Sequence, residues 1–247
     1  MNKIFLEQIK KIKVDALRFK KSKKNSKNNN NFFVKTDNIY FDYSRNNFDD
    51  KLLKKLLNLA EIIDIKNKYK ALINGHEVNV SEKRKVLHPA LRRVSSLLDK
   101  SISKKINDHK DYLKKISNDI RSGRKKSFSN KNYTDVVSIG TGGSFFGIKA
   151  VYESLKNYSS VKIKLHFISN LDFTENRDLL LKLDPKTTLF VVVSKSFRTI
   201  ETIENIKIIK QWLNKNTNKS NIMNNFLAVT ENDSEALKLG IHEDNII

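Results

Sequence analysis

The chain has 247 residues, no cysteine and a formal net charge of +21. That length can bury a real core as one large domain or two small ones, and the lack of thiols excludes a disulfide framework or a cysteine metal site. The first 24 residues lack the unbroken apolar stretch of a secretory signal, and nowhere is there a run of about 18 apolar residues to cross a membrane. The 48 Lys and Arg are dispersed and interleaved with 27 Asp and Glu. The charge therefore reads as a compositional habit that attracts small anions, and neither a nucleic-acid nor a membrane partner is expected.

Residues 1–24 read as a basic amphipathic helix, with Ile4, Phe5, Ile9, Ile12, Val14 and Leu17 as its apolar positions. The polar, low-complexity run 22–32 (KSKKNSKNNNN) reads as a flexible loop. Alternation at Ile39, Phe41 and Tyr43 predicts a short strand or extended arm. Helical spacing returns over 48–70, with Asp49 and Asp50 suited to the first turn, and NGHEVN (74–79) is a turn. Ser81 is placed to cap a further helix with Glu82 in its first turn. Arg84, His88, Arg92 and Arg93 fall at helical spacings on it, a cluster read as structural, and Pro89 disturbs it for want of an N–H. Residues 95–121 carry another amphipathic stripe: Leu97, Leu98, Ile102, Ile106, Leu113 and Ile116.

From residue 133 strands and helices alternate. Strands are predicted at 135–139, 162–168, 187–193 and 225–229, with a further one beginning at 245. Helices are predicted at 145–156, 174–183, 199–215 and 233–239. Apolar strands at this spacing imply an α/β fold, a parallel sheet with helices on both faces, whose ligands bind at the carboxyl ends of the strands. Two glycine- or hydroxyl-rich turns fall there.

The first, GTGGSFFG (140–147), is neither a dinucleotide loop nor a P-loop. The third glycine of G-x-G-x-x-G would fall at Phe145, and Gly147 is followed by Ile148 rather than Lys. What remains is a strand, a glycine turn with exposed N–H groups, one hydroxyl and a helix, which suits a single phosphate or a sugar hydroxyl. The second turn, SKSFRT (194–199), offers three hydroxyls and a lysine before a long helix. It reads equally as a monophosphate cradle or as an ordinary helix start with Thr199 at the cap.

Together, FDYSRN (41–46), SEKRKVLHPALR (81–92), VVSIGTGGSFFG (136–147), HFISNLD (166–172), LDPKTTLFVVVSKSFRTIETIENI (183–206) and LAVTENDSEALKLGIHEDNI (227–246) resemble the glucose-6-phosphate isomerase (phosphoglucose isomerase) family, in order, from about residue 40 onward. The resemblance implies a Rossmann-like, three-layer sugar-isomerase (SIS) subdomain over 111–247, truncated at its end, after a mainly helical segment over 1–110. It implies cytoplasmic interconversion of glucose 6-phosphate and fructose 6-phosphate in glycolysis and gluconeogenesis, without metal or organic cofactor, by a homodimer when full length. It assigns Gly143 and Ser144 to substrate, and Ser194, Lys195, Ser196, Phe197, Arg198 and Thr199 to the phosphate loop. Glu201 is assigned to the support of a ring-opening histidine.

This chain departs from the family pattern at Ser196 and Arg198 (each usually Thr), Ile200 (usually Gln) and Phe145 (usually Asp). The family's Gly-Gly-Arg segment, glutamate base, histidine and C-terminal lysine have no counterpart before Ile247. The resemblance therefore implies a fragment without the proton-transfer groups; a non-catalytic sugar-phosphate-binding SIS module is the alternative.

Overall fold

The structure, a computed structural model, describes residues 6–13, 32–46, 49–92, 99–159, 162–217 and 221–247. Most of the loop expected at 22–32, residues 1–5 and 14–24 of the helix expected at 1–24, Arg93, and residues 95–98 of the helix expected at 95–121 lie outside these residues. The chain divides into two compact units, Met1–Ile106 and Asn107–Ile247.

The first unit contains helix α1 over 6–13. Strands β1 (Phe33–Lys35) and β2 (Tyr40–Asp42) form an antiparallel hairpin, with Val34 opposite Phe41 and the Phe33 and Tyr40 rings stacked 5.4 Å apart. The extended arm expected around Ile39–Tyr43 is thus one half of a paired unit. The single helix expected over 48–70 is two, α2 (Asp50–Ile62) and α3 (Ile65–Ile73). Asp49 caps α2 by accepting from the Leu52 N–H at 2.8 Å. Asp64 then turns left-handed at φ 53°, a conformation Asp tolerates better than most residues, and this breaks the run.

No helix starts at Ser81. Asn79 and Arg84 bridge across a tight turn instead, with Asn79 Oδ1 accepting from the Ser81 hydroxyl and the Glu82 N–H. An Asn side chain that offers the backbone a local partner competes with a helix. The segment from His88 to Leu91 is a short 3₁₀ turn with Pro89 in its first residues, and His88 and Arg92 are exposed.

The second unit is built on a four-stranded parallel sheet. Helix α4 (Lys100–Ser122) leads to β3 (Asp135–Ile139), α5 (Gly143–Leu155), β4 (Lys164–Ile168) and α6 (Phe173–Leu180). Then come β5 (Thr188–Val193), α7 (Ile200–Asn216), β6 (Phe226–Val229) and α8 (Asp233–Lys238). The expected strand at 245 is a 3₁₀ turn, Glu243–Asn245, followed by a single parallel bridge from Ile246 to Ala228.

The spatial order is β4-β3-β5-β6. Residue pairs such as Ile139 with Val192 and Val193 with Val229 set the register. Alternation sorts the strands onto two faces. Val137, Ile139, Phe190, Val192, Phe226 and Ala228 join Leu180, Ile206, Ile209 and Leu213 in the main core, under α6 and α7. Leu189 and Leu227, with Val136 and Val191, pack on Ile116, Tyr112 and Ile120 of α4.

The chain runs outward from β3 to β4, then reverses across β3 to β5. Parallel crossovers are right-handed, so the reversal puts α5 on one face and α6 and α7 on the other. The contacts agree: Phe145 and Tyr152 of α5 lie against Phe167, which points away from Ile168 and the main core. Adjacent strands whose connections depart in opposite directions leave a crevice at their carboxyl ends. Here that pair is β3 and β5.

Two buried features fix this arrangement. The Asn225 side chain accepts from the Phe128 N–H at 2.9 Å and the Tyr133 hydroxyl at 3.3 Å, and donates to the carbonyls of Thr188 at 2.9 Å and Pro185 at 3.2 Å. Burial pushes the Tyr133 phenol above its ordinary pKa, so it stays a neutral donor. At the other end of the sheet, buried Gly140 lies where a Cβ would stand 3.0 Å from the Ser144 carbonyl oxygen and 3.1 Å from that of Val193. Both features predict measurable losses in urea unfolding. Asn225→Ala orphans a buried N–H and carbonyls and is expected to cost about 3 kcal/mol. Gly140→Ala forces the ends of β3 and β5 apart and is expected to cost about 1–3 kcal/mol. Wild-type stability in either variant would contradict these roles.

Candidate functional site

The first turn follows β3. The Gly140 N–H donates to the Ile168 carbonyl at 3.1 Å, and Gly142 takes φ +55° and ψ −123° as the N-cap of α5, a conformation suited to glycine. Gly143 opens the helix, and the half-buried Ser144 follows it. The two residues therefore stand at the positive dipole end of a 13-residue helix, where the Ser144 and Phe145 N–H groups already donate to the Thr141 and Gly142 carbonyls, each at 3.1 Å. Phe145 is buried against Phe146 and Phe167, with the Lys149 ammonium 5.2 Å from its ring centroid. A phenyl ring where the family pattern has a carboxylate is thus taken up by packing.

The second turn follows β5, and its shape is set from below. Phe197 is fully buried in the main core with φ 52°. The left-handed backbone costs about 1–2 kcal/mol, while burying a phenyl side chain returns about 1.5–3 kcal/mol. The core therefore holds the turn in this form. With Phe197 turned inward, its neighbours Ser196 and Arg198 are exposed, as is Lys195.

Ser194 is buried; its Oγ accepts from the Phe197 N–H at 3.2 Å, and the Ser196 Oγ accepts from the Arg198 N–H at 3.3 Å. Each hydroxyl therefore keeps its own hydrogen to donate elsewhere. Thr199 is the N-cap of α7, but its side chain makes no capping hydrogen bond. The first N–H groups of this 17-residue helix are left for another acceptor. Glu201 is exposed in that first turn, where its charge suits the helix dipole, and Ile200 is exposed beside it. The Thr202 hydroxyl is buried with no partner among the described residues.

The connection from β6 to α8 supports this turn from the side. The Ser194 N–H donates to the Val229 carbonyl at 3.1 Å. The Lys195 carbonyl accepts from the Glu231 N–H at 3.1 Å and the Thr230 hydroxyl at 3.2 Å, and the Ser196 carbonyl accepts from Asn232 Nδ2 at 3.1 Å. Arg198 reaches Glu235 at 3.1 Å, and Lys238 reaches the same carboxylate oxygen at 2.9 Å. Lys238 first and Arg198 second hold the Glu235 carboxyl below the usual carboxylate range. The extra cation in the turn is thus paired with α8.

Gly143 and Ser144, and the whole of 194–199, stand at the same end of the two central strands. Their proximity is set by Gly140, wedged between Ser144 and Val193. The sequence reading missed Asn232, Glu235 and Thr202, although TEND (230–233) carries a recognisable helix-start signal. Among the described residues, no group of three or more His, Cys, Asp or Glu is placed to hold a metal ion, and no helix is long and apolar enough to cross a membrane. A cavity of about 760 Å³ lies elsewhere, lined by Arg121, Arg124, Asn132, Thr134 and Lys162 at the amino end of β3. Its position is the wrong end of a parallel sheet for the crevice rule.

The phosphoglucose isomerase family model matches residues 42–247. The glucose-6-phosphate isomerase of Helicobacter pylori is 36% identical over 245 residues, covering 97% of this chain and 44% of that protein. That of Francisella tularensis is 39% identical over 223 residues, covering 88% and 41%. The crystal structure of a glucose-6-phosphate isomerase from Chlamydia trachomatis superposes with a TM-score of 0.64 at 25% identity, covering 91% of this chain and 44% of that one. A hypothetical protein from Thermus thermophilus, at TM-score 0.51 and 20% identity, shares the fold. The chain spans less than half the length of these relatives. With a family match reaching from the first unit through both turns and the whole parallel sheet, the chain belongs to the phosphoglucose isomerase family.

Proposed function

We propose that the chain is the phosphate-holding part of an enzyme that interconverts glucose 6-phosphate and fructose 6-phosphate. The observation that supports this most is the 194–199 turn. Ser194 and Ser196 have hydroxyl hydrogens left to donate, Thr199 makes no cap, and the α7 N-terminus is open behind them. A phosphate needs several donors converging on one point with net positive potential, and a helix N-terminus with neighbouring hydroxyls supplies it. Gly143 and Ser144, at the next strand, are assigned to the sugar end of the same ligand. Lys195 adds charge to the mouth of the site.

Isomerisation also moves a proton between two adjacent carbons and opens a ring, which requires a positioned base and an acid–base pair. Neither turn supplies a carboxylate or imidazole suited to that task; Glu201 is the nearest acid in sequence, and its assigned role is to support a histidine. In this reading 111–247 is the first SIS subdomain, the proton-transfer groups lie in sequence beyond this chain, and the complete enzyme is a cytoplasmic homodimer of glycolysis. The family match over the first unit favours the enzyme over a free-standing binding module, because a module needs only the sheet and its turns.

Two measurements test this. Ser194→Ala with Thr199→Ala is expected to weaken binding of glucose 6-phosphate in calorimetric titration, at about 1.5–3 kcal/mol for each hydrogen bond to the charged phosphate; unchanged affinity would reduce the turn to a helix start. Residues 1–247 alone are expected to show no isomerase turnover in a coupled assay, and measurable turnover would overturn the assignment of the chemistry to other sequence.

A further inference from the structure

The two carbonyls at the tip of the turn, Lys195 and Ser196, both face the β6–α8 connection and are both taken by its donors. A trans peptide is planar, so its N–H points opposite to its carbonyl. Holding the Lys195 carbonyl against Thr230 and Glu231 therefore aims the Ser196 N–H away from that connection. Holding the Ser196 carbonyl against Asn232 aims the Phe197 N–H back at the Ser194 Oγ, where it is found at 3.2 Å. That bond occupies a lone pair of Ser194 and leaves its hydroxyl hydrogen to be donated.

Asn232 is itself fixed. Its Oδ1 accepts from the Ser234 hydroxyl at 2.9 Å, and its backbone N–H donates to the Thr230 Oγ1 at 3.0 Å. The Ser196 carbonyl can only accept, so the amide has one orientation, with Nδ2 toward the turn and Oδ1 toward the Ser234 hydroxyl. Asn232 stands at the N-cap of α8, but its side chain makes no capping hydrogen bond there.

We propose that Asn232 is a positioning residue for the phosphate turn: through the Ser196 carbonyl it sets the 196–197 peptide, and through that peptide the Ser194 hydroxyl as a donor to phosphate. The proposal rests on the reading of 194–199 as a phosphate site. Asn232 touches no ligand in this scheme; it acts through two intervening bonds.

Because the Asn232 side chain makes no capping hydrogen bond, substituting it tests its contact with the Ser196 carbonyl and not a helix cap. Asn, Asp and Ser are comparable N-caps. Serine is neutral and too short to reach the Ser196 carbonyl; aspartate keeps the Asn shape and the acceptor for Ser234 but cannot donate when ionised. The test is a titration of residues 1–247 with inorganic phosphate and with glucose 6-phosphate, following amide resonances by NMR and unfolding by urea, for wild type, Asn232→Ser and Asn232→Asp. Wild type is expected to show phosphate-dependent shifts at Ser196 and Phe197. Asn232→Ser is expected to keep wild-type stability while losing about tenfold in affinity, the scale of one hydrogen bond of 1.4 kcal/mol. Its Phe197 amide resonance is expected to move before any phosphate is added. Asn232→Asp is expected to behave likewise, with repulsion added. Wild-type affinity and an unmoved Phe197 resonance in the Ser variant would overturn the positioning role. Absence of any phosphate response in wild type would overturn the phosphate reading itself.

Discussion

The burial of the Phe197 ring is the constraint on which the candidate site depends. It places an aromatic side chain from the middle of a surface turn into the core under α6 and α7, and it obliges the backbone there to turn left-handed. An open loop of two serines, a lysine and an arginine has no strong shape of its own, and mutual repulsion of its charges favours spreading. A single buried ring overrides this: its burial is worth about 1.5–3 kcal/mol against about 1–2 kcal/mol for the left-handed backbone. The polar residues on either side of it are then exposed as a consequence.

The rest of the second unit supplies direction. Parallel pairing of β3 with β5, and the reversal of winding between them, bring two helix N-termini to one end of the sheet. Gly140 lets those ends approach so closely that a Cβ there would lie only 3.0–3.1 Å from the Ser144 and Val193 carbonyl oxygens. At the opposite end, Asn225 joins the loop before β3 to the start of β5 through four hydrogen bonds. One end of the central pair is thus locked by a saturated polar hub, while the other is left with donors to spare. The pairing of Arg198 with Glu235 fits the same pattern: the turn's added charge is returned to the protein rather than left beside a ligand.

Much of this was legible in the sequence because it is written locally. Apolar runs such as Thr188–Val193, buried on both faces, and the glycines that follow Ile139 carry the parallel sheet and its turns in short windows. The expected strands and helices from 135 to 239 recur within a few residues of their positions, whereas the strand expected at 245 is a 3₁₀ turn with a single bridge. The first unit was harder to read. Asp64 breaks an unbroken helical pattern by a single backbone choice, and Asn79 captures the Ser81 and Glu82 donors that were expected to start a helix. The partners of the 194–199 turn were illegible for a different reason. Asn232 and Glu235 meet Ser196 and Arg198 across 36 and 37 residues, and no periodicity reports a contact over that separation.

A crystal structure of the chain with glucose 6-phosphate tests the central claim most directly. The phosphate is expected within hydrogen-bond distance, about 2.7–3.2 Å, of the Ser194, Ser196 and Thr199 hydroxyls and the first N–H groups of α7, with the sugar directed toward Gly143 and Ser144. A phosphate bound instead at the amino end of the sheet, among Arg121, Arg124 and Lys162, would contradict it.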